Sequence, residues 1–250
     1  MESTDFAIAF LGGLIPALFW LWFLLREDNE KPEPIGLIVL SFLSGMAVVP
    51  LVLPLQQYAQ KIFTGPDIVM VWVVIEEVLK YAVALAVILW NRAVDEPIDL
   101  IIYMIAIALG FAALENALFI FTPLLANEYL NSFLIGNFRF LGSTLLHVLA
   151  SGTVGVMMAL AFYSSTTVKL VYGTVGLFLA IVLHALFNFF IMGIAEESAF
   201  FGVVRQIVAN LFGFDIVNYG VLGVFLFVWM GIVVLFLLFE KVKILEAQHS

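Results

Sequence analysis

Residues 98–121 read IDLIIYMIAIALGFAALENALFIF, an apolar run whose only charged residues are Asp99 and Glu115. An α-helix needs about 20 predominantly apolar residues to cross the hydrocarbon core of a bilayer. The run has this length, and Pro123 just beyond it cannot continue a hydrogen-bonded helix at low cost. The stretch therefore predicts a membrane-spanning helix, and this decides the class of the fold.

Similar apolar runs occur on both sides of this helix. They cover about residues 6–25, 35–55, 68–90, 138–163, 168–194 and 221–239, and a polar loop is predicted over 126–137. A shorter apolar run over 200–214 contains Arg205, which favours an interfacial or re-entrant helix over a span. The sequence thus predicts an all-α, polytopic transmembrane helix bundle of about seven spans plus one short helix. We expect the bundle to form a single membrane domain over residues 1–250.

The composition agrees with this class. Hydrophobic residues make up 64% and charged residues 12% of the chain, and the mean hydropathy is +1.15; soluble domains have about 25% charged residues. The absence of cysteine excludes disulfides, thiol nucleophiles and cysteine-ligated metals. A net charge of −9 argues against a nucleic-acid partner. The N-terminus lacks a basic signal region, so we expect the first run to stay as a span.

The basic residues near the span ends predict the orientation. With seven spans, more of them lie on the side of the C-terminus, which favours a cytoplasmic C-terminus and an outside N-terminus. One side holds Arg26, Lys31, Arg92, Lys169, Lys241 and Lys243, and the other holds Lys61, Arg139 and Arg205.

Ionisable residues inside the spans indicate function, because each is costly to place in lipid. Six lie well inside: Glu76, Glu77, Lys80, Glu115, His147 and His184. At about 1.5 Å of rise per residue, the glutamates and histidines of four consecutive spans fall roughly 10–15 Å below the same membrane face. Each residue alone could form a structural ion pair or an interhelical hydrogen bond. Together in one layer they favour a polar pocket.

The local spacing supports such a pocket. Lys80 follows Glu76 by four residues and Glu77 by three, so one ammonium can neutralise part of the paired carboxylates. Ser151 and Gly155 offer a small-residue face that lets another helix approach closely.

Several mechanisms are excluded by missing residues or motifs. No span carries an aspartate near its middle, which excludes an intramembrane aspartyl dyad. No H-E-x-x-H zinc-binding helix occurs. No G-x-S-x-G elbow occurs either, but Ser143 and Ser151 lie near His147, so a serine nucleophile stays open. Carboxylate and histidine can activate water in two ways: by binding a metal, or with a glutamate as general base and histidine and asparagine stabilising the oxyanion. A proton-coupled carrier and a non-catalytic membrane scaffold are the alternative functions, and the absence of internal repeats speaks against the carrier.

Four motifs in order resemble the PrsW family of intramembrane proteases. They are Glu76-Glu77-Val-Leu-Lys80 (EExxK), Phe111-Ala-Ala-Leu-Glu115-Asn116 (FxxxEN), His147 followed by small residues, and His184-Ala-Leu-Phe-Asn188. The motif region covers about residues 71–190. The family is distantly similar to the CAAX-processing and bacteriocin-processing membrane proteases. This sequence departs from their EExxxR and FxxxH motifs at Lys80 and Glu115, which argues against prenyl-protein processing.

The resemblance implies the following roles. Glu76 or Glu77 would be the general base, Lys80 would orient the carboxylates and Asn188 would steady the tetrahedral intermediate. Glu115, His147 and His184 would hold a divalent metal, zinc being the first candidate. The substrate would be a membrane-tethered protein such as an anti-sigma factor, cleaved in the plasma membrane of a prokaryote.

Overall fold

The computed structural model of the protein describes residues 2–26, 33–88, 91, 93–191, 206, 210 and 220–247. Within these ranges the regular structure is helical throughout, and no strand occurs. A π-helical turn, Arg139–Ser143, joins the fifth helix to the sixth. The helices are α1 (Glu2–Leu25), α2 (Ile35–Ala59), α3 (Pro66–Ile88), α4 (Pro97–Leu125), α5 (Tyr129–Phe138), α6 (Thr144–Leu160), α7 (Thr166–Ile191) and α8 (Gly220–Ala247).

In the described part of the chain, six segments are long and apolar enough to cross a membrane. They are Ser3–Leu25, Ile35–Ala59, Pro97–Leu125, Tyr129–Leu160, Thr166–Ile191 and Gly223–Ile244. Helix α3 also has the length of a span, but Glu76, Glu77 and Lys80 lie in its middle. It packs against α2, α4 and α7. The predicted polytopic all-α bundle is confirmed, with α3 as its most polar member. The short helix predicted over 200–214 lies outside the described residues, except for Gln206 and Asn210.

The prediction of a polar loop over residues 126–137 is wrong, because helix α5 begins at Tyr129. Its sequence, YLNSFLIGNF, repeats apolar side chains at the three- and four-residue spacing of an amphipathic helix. Only a short turn separates it from α4, and Asn127 takes a left-handed φ of 61° there. Asparagine adopts this conformation more readily than most residues. Helix α5, the π turn and α6 therefore form one continuous segment.

Helix α4 lies at the centre of the bundle, and 94% of its span is buried. Its neighbours approach it closely at glycines. A Cβ atom at Gly110 would lie 1.8 Å from the carbonyl oxygen of Phe42 in α2, and one at Gly155 of α6 would lie 2.7 Å from Cα of Ile101. The small-residue face predicted at Gly155 thus allows α6 to contact the backbone of α4, as expected for small residues at membrane helix crossings. These contacts hold Glu115 of α4 beside α6.

Candidate active site

The five ionisable residues predicted on α3, α6 and α7 form one buried centre. Glu76, Glu77, Lys80, His147 and His184 are 6%, 2%, 0%, 1% and 3% exposed. Three helices supply them, so the centre exists only when the bundle is folded. The structure therefore brings together residues far apart in the chain, such as Glu77 and His184, which are 107 positions apart.

Glu77 lies between a cation and a histidine. Its Oε1 accepts a hydrogen bond from Lys80 Nζ at 2.5 Å and another from His184 Nδ1 at 2.6 Å. Lys80 Nζ also lies 3.1 Å from His147 Nδ1 and 4.8 Å from the centre of the Phe111 ring. Lys80 thus links α3 to α4 and α6, and the charge of Glu77 is balanced at short range.

Glu76 has a different environment. Its Oε1 accepts a hydrogen bond from Gln56 Nε2 of α2 at 2.8 Å. Its Oε2 is buried and has no hydrogen-bond partner among the described residues, and it lies 3.8 Å from His184 Nε2. Buried polar atoms are nearly always paired, so this oxygen requires an explanation.

The partners of the two histidines assign their tautomers. An ammonium group only donates hydrogen bonds, so His147 Nδ1 accepts from Lys80. His147 Nε2 then carries the proton and donates to Glu115 Oε2 at 3.1 Å. His184 Nδ1 donates to the carboxylate of Glu77, which leaves a lone pair on its Nε2 beside Glu76. Each ring therefore donates one N–H to a carboxylate, while the lone pair of His147 Nδ1 accepts from Lys80 and the lone pair of His184 Nε2 faces Glu76.

Glu115 closes the centre on the α6 side. Its Oε2 accepts from His147 and also pairs with the guanidinium of Arg139. Arg139 Nε donates to Asn116 Oδ1 at 2.5 Å, and Asn116 Nδ2 donates to Thr144 Oγ1 at 2.9 Å. The side chains of Arg139 and Glu115 are 16% and 17% exposed, so this edge is the more open one.

One group of residues in the described part of the chain could hold a metal. Glu76, His147 and His184 each offer one ligand atom, and these atoms lie within 4.8 Å of one another. The ligand atoms of a tetrahedral zinc site with bonds of about 2.1 Å lie about 3.4 Å apart, so these atoms would have to approach one another by as much as about 1.4 Å. The sequence predicted Glu115 as the carboxylate of this group. The geometry groups Glu76 with the two histidines, and Glu115 lies on the outer side of His147.

Asn188 and the two serines have fewer contacts with the centre. Asn188 lies one turn after His184 on α7 and is half-buried, and its side chain makes no hydrogen bond with the described residues. His147 Nδ1 contacts Lys80 and His147 Nε2 contacts Glu115, and neither ring nitrogen has a hydrogen bond with Ser143 or Ser151.

Sequence reasoning missed Gln56 and Arg139. The apolar run predicted over residues 35–55 ends before Gln56, whereas α2 continues to Ala59. A glutamine in the last turns of a span, opposite a carboxylate on the next helix, was the available signal. Arg139 was treated only as a charge that sets orientation.

Comparisons with known proteins indicate the family. Residues 33–230 match the family described as "PrsW family intramembrane metalloprotease". "Protease PrsW" of Clostridioides difficile (strain 630) is 27% identical over 192 residues, which cover 73% of this chain and 79% of that protein. "Protease PrsW" of Oceanobacillus iheyensis is 28% identical over 191 residues, covering 74% and 83%. "Protease PrsW" of Bacillus subtilis (strain 168) is 22% identical over 188 residues, covering 74% and 83%. No solved structure matches the chain significantly.

The family match covers well over half of the chain and includes every residue of the centre. The several long apolar helices make the protein a multi-pass integral membrane protein. The chain therefore belongs to the PrsW family of intramembrane proteases.

Proposed function

We propose that this chain is an intramembrane endopeptidase that cleaves a membrane-tethered protein with water activated between Glu76, His147 and His184. The observation that carries the proposal is Glu76 Oε2, which is buried without a hydrogen-bond partner among the described residues, 3.8 Å from His184 Nε2. An unsatisfied buried polar atom costs about 1–3 kcal/mol. We expect such an atom where a reacting water or a metal completes the arrangement.

A divalent metal would fit this centre once Lys80 released Nδ1 of His147, and zinc is the first candidate. One carboxylate and two imidazoles are a known set of three protein ligands for catalytic zinc, with the fourth position left open. The lone pair on His184 Nε2 can bind a metal, whereas a ring nitrogen without a proton cannot donate to an oxyanion. When bound, the metal would supply a nucleophile near neutral pH by making water more acidic.

Glu76, rather than Glu115, is the proposed carboxylate ligand. Glu115 and Glu77 would then share one role, since each accepts the outward N–H of one histidine and so fixes the orientation of that ring. Carboxylates behind ligating histidines commonly act in this way. The sequence-based set with Glu115 remains the alternative, and the metal content of single variants separates the two sets.

Proton transfer is the second task of the centre. Glu77 and Glu115 each already accept from a cation and a histidine through one oxygen. Glu76 Oε2 accepts from no described residue, so without a metal this oxygen would take the proton from water and return it to the leaving amine. Lys80 would hold Glu77 in place. The amide of Asn188, half-buried beside His184, would donate to the oxyanion of the tetrahedral intermediate.

The proposed substrate is a membrane-tethered protein such as an anti-sigma factor, in the plasma membrane of a prokaryote. The motif resemblance supports this substrate class, and the relatives named above are bacterial proteases. The proposed orientation has the N-terminus outside, which puts the centre nearer the outer face.

Cleavage by purified variants tests the proposal. Wild type, Glu76→Gln and Glu77→Gln are incubated in proteoliposomes with a set of single-span substrates. We expect cleavage by wild type and its loss in both variants, because each change removes a carboxylate of the centre while keeping the shape of the side chain. Glu128→Gln, at an exposed position before α5, is the matched control and should cleave as wild type. Wild-type rates in Glu76→Gln would remove the proposed mechanism. Proton-coupled transport of a solute into the proteoliposomes, without cleavage of any substrate, would favour the alternative function of a proton-coupled carrier.

A further inference from the structure

Arg139 lies at the edge of the centre and has no role in the scheme above. Its guanidinium pairs with Glu115, its Nε donates to Asn116 Oδ1 at 2.5 Å, and its guanidinium carbon lies 3.9 Å from the centre of the Phe119 ring. All three partners belong to α4. An exposed ion pair held by charge alone contributes about 0–1 kcal/mol and is not fixed in position. Here the planar group is fixed by three different contacts.

The backbone is also irregular at this residue. Arg139 begins the π-helical turn Arg139–Ser143 between α5 and α6. π turns within helices are rare and occur frequently at functional sites. Four residues after the turn, α6 carries His147. The irregular turn therefore lies next to the functional part of α6.

Arg139 and His147 meet at a single atom. Both the guanidinium of Arg139 and Nε2 of His147 contact Oε2 of Glu115. The arginine therefore fixes the oxygen to which the His147 N–H donates. Together with the hydrogen bond that Lys80 donates to Nδ1, this hydrogen bond keeps the proton of His147 on Nε2 and the lone pair on Nδ1.

We infer that Arg139 is a positioning residue for the hydrolytic reaction: it holds Glu115 so that His147 keeps its Nδ1 lone pair turned toward the centre. The inference rests on the proposed function, since it gives His147 a part in activating water. Removing a carboxylate or its support behind a ligating histidine typically costs 10–100-fold in metal affinity or activity, about 1.4–2.7 kcal/mol. A loss of about this size is expected when Arg139 is removed.

The alternative is that Arg139 only neutralises Glu115 within the membrane. In that case the removal of Arg139 lowers stability but leaves the ring of His147 unchanged. The state of this ring can be measured directly, because the chain has three histidines. Nitrogen-15 NMR of the histidine rings distinguishes a single tautomer from a mixture.

The experiment compares wild type, Arg139→Gln and Arg139→Lys in the same micelles. For Arg139→Gln we expect a kcat lower by about 10–100-fold, a KM little changed, weaker metal retention against a chelator, and a mixed tautomer at His147. Arg139→Lys should recover part of each, since an ammonium keeps the charge but lacks the planar fork that reaches both Glu115 and Asn116. Lys169→Gln is the matched control: Lys169 also packs over an aromatic ring, Phe162 at 5.4 Å, but lies at the opposite end of α7 from His184.

Two results would overturn the inference. One is a folded Arg139→Gln protein with the wild-type kcat, and the other is a lowered kcat with an unchanged His147 tautomer. If Arg139→Gln does not fold, Arg139→Lys decides, because wild-type values for both kcat and tautomer would again contradict the positioning role. Failure of the proposed function looks different, since Glu76→Gln would then keep its cleavage activity whatever Arg139 does.

Discussion

Replacing Lys80 by methionine tests the buried charge arrangement of the centre. Lys80 has no exposed surface, and the side chain of its partner Glu77 is 1% exposed. Lys80→Met removes the 2.5 Å ion pair and the contact with His147, and it leaves the carboxylate of Glu77 with His184 as its remaining partner. Removing one partner of a buried pair costs about 3–5 kcal/mol, because a buried charge is left uncompensated.

This loss is large enough to measure by thermal unfolding. For chains of about 150–250 residues, each kcal/mol shifts Tm by about 2–4 °C, so Lys80→Met should lower Tm by about 6–20 °C. The double variant Lys80→Met, Glu77→Gln removes both charges and should recover much of the free energy of unfolding. Lys61→Met, at an exposed position after α2, is the control and should change it by less than about 0.5 kcal/mol. The reasoning is refuted if Lys80→Met unfolds as wild type, or if the double variant is less stable than either single one.

Two further predictions concern packing and orientation. Gly110→Val should prevent correct assembly of α2 on α4, because its Cβ would lie 1.8 Å from the Phe42 carbonyl oxygen. Gly36→Ala is the control and should fold normally, because no atom lies within 4 Å of the added Cβ. Equal yields of folded protein from both variants would contradict the close crossing of α2 and α4. A cysteine at Asn131, an exposed position of α5, should react with an impermeant thiol reagent in intact cells and one at Asn29 should not. The opposite labelling pattern would reverse the proposed orientation.

The meeting of the polar residues in one layer could be predicted from the sequence, but their rotation about each helix axis could not. Counting residues from the span ends correctly brought Glu115 and His147 to one level, and the structure joins them at 3.1 Å. Depth does not determine which carboxylate faces both histidines, since this depends on how α3 and α4 are turned against α6 and α7. The geometry groups Glu76 with them for this reason.

The residues that sequence reasoning missed share a similar cause. Gln56 reaches Glu76 only because α2 continues beyond its apolar run, and Arg139 reaches Glu115 only because α5 is helical and leads into a π turn. Hydropathy reports where lipid ends, whereas helices continue past that point wherever backbone hydrogen bonding and packing allow. Polar residues at or just beyond the end of a predicted span can therefore belong to the buried centre, as Gln56 and Arg139 do.

The most direct test of the metal-assisted centre is the metal content of active protein. Elemental analysis is made on purified wild type that cleaves its substrate, and a strong chelator is titrated against the cleavage rate. The account predicts about one divalent metal per chain, parallel loss of metal and activity on chelation, and loss of bound metal in Glu76→Ala, His147→Ala and His184→Ala. Full turnover with well under one metal per chain, unaffected by the chelator, would contradict it and would leave Glu76 as the sole activator of water.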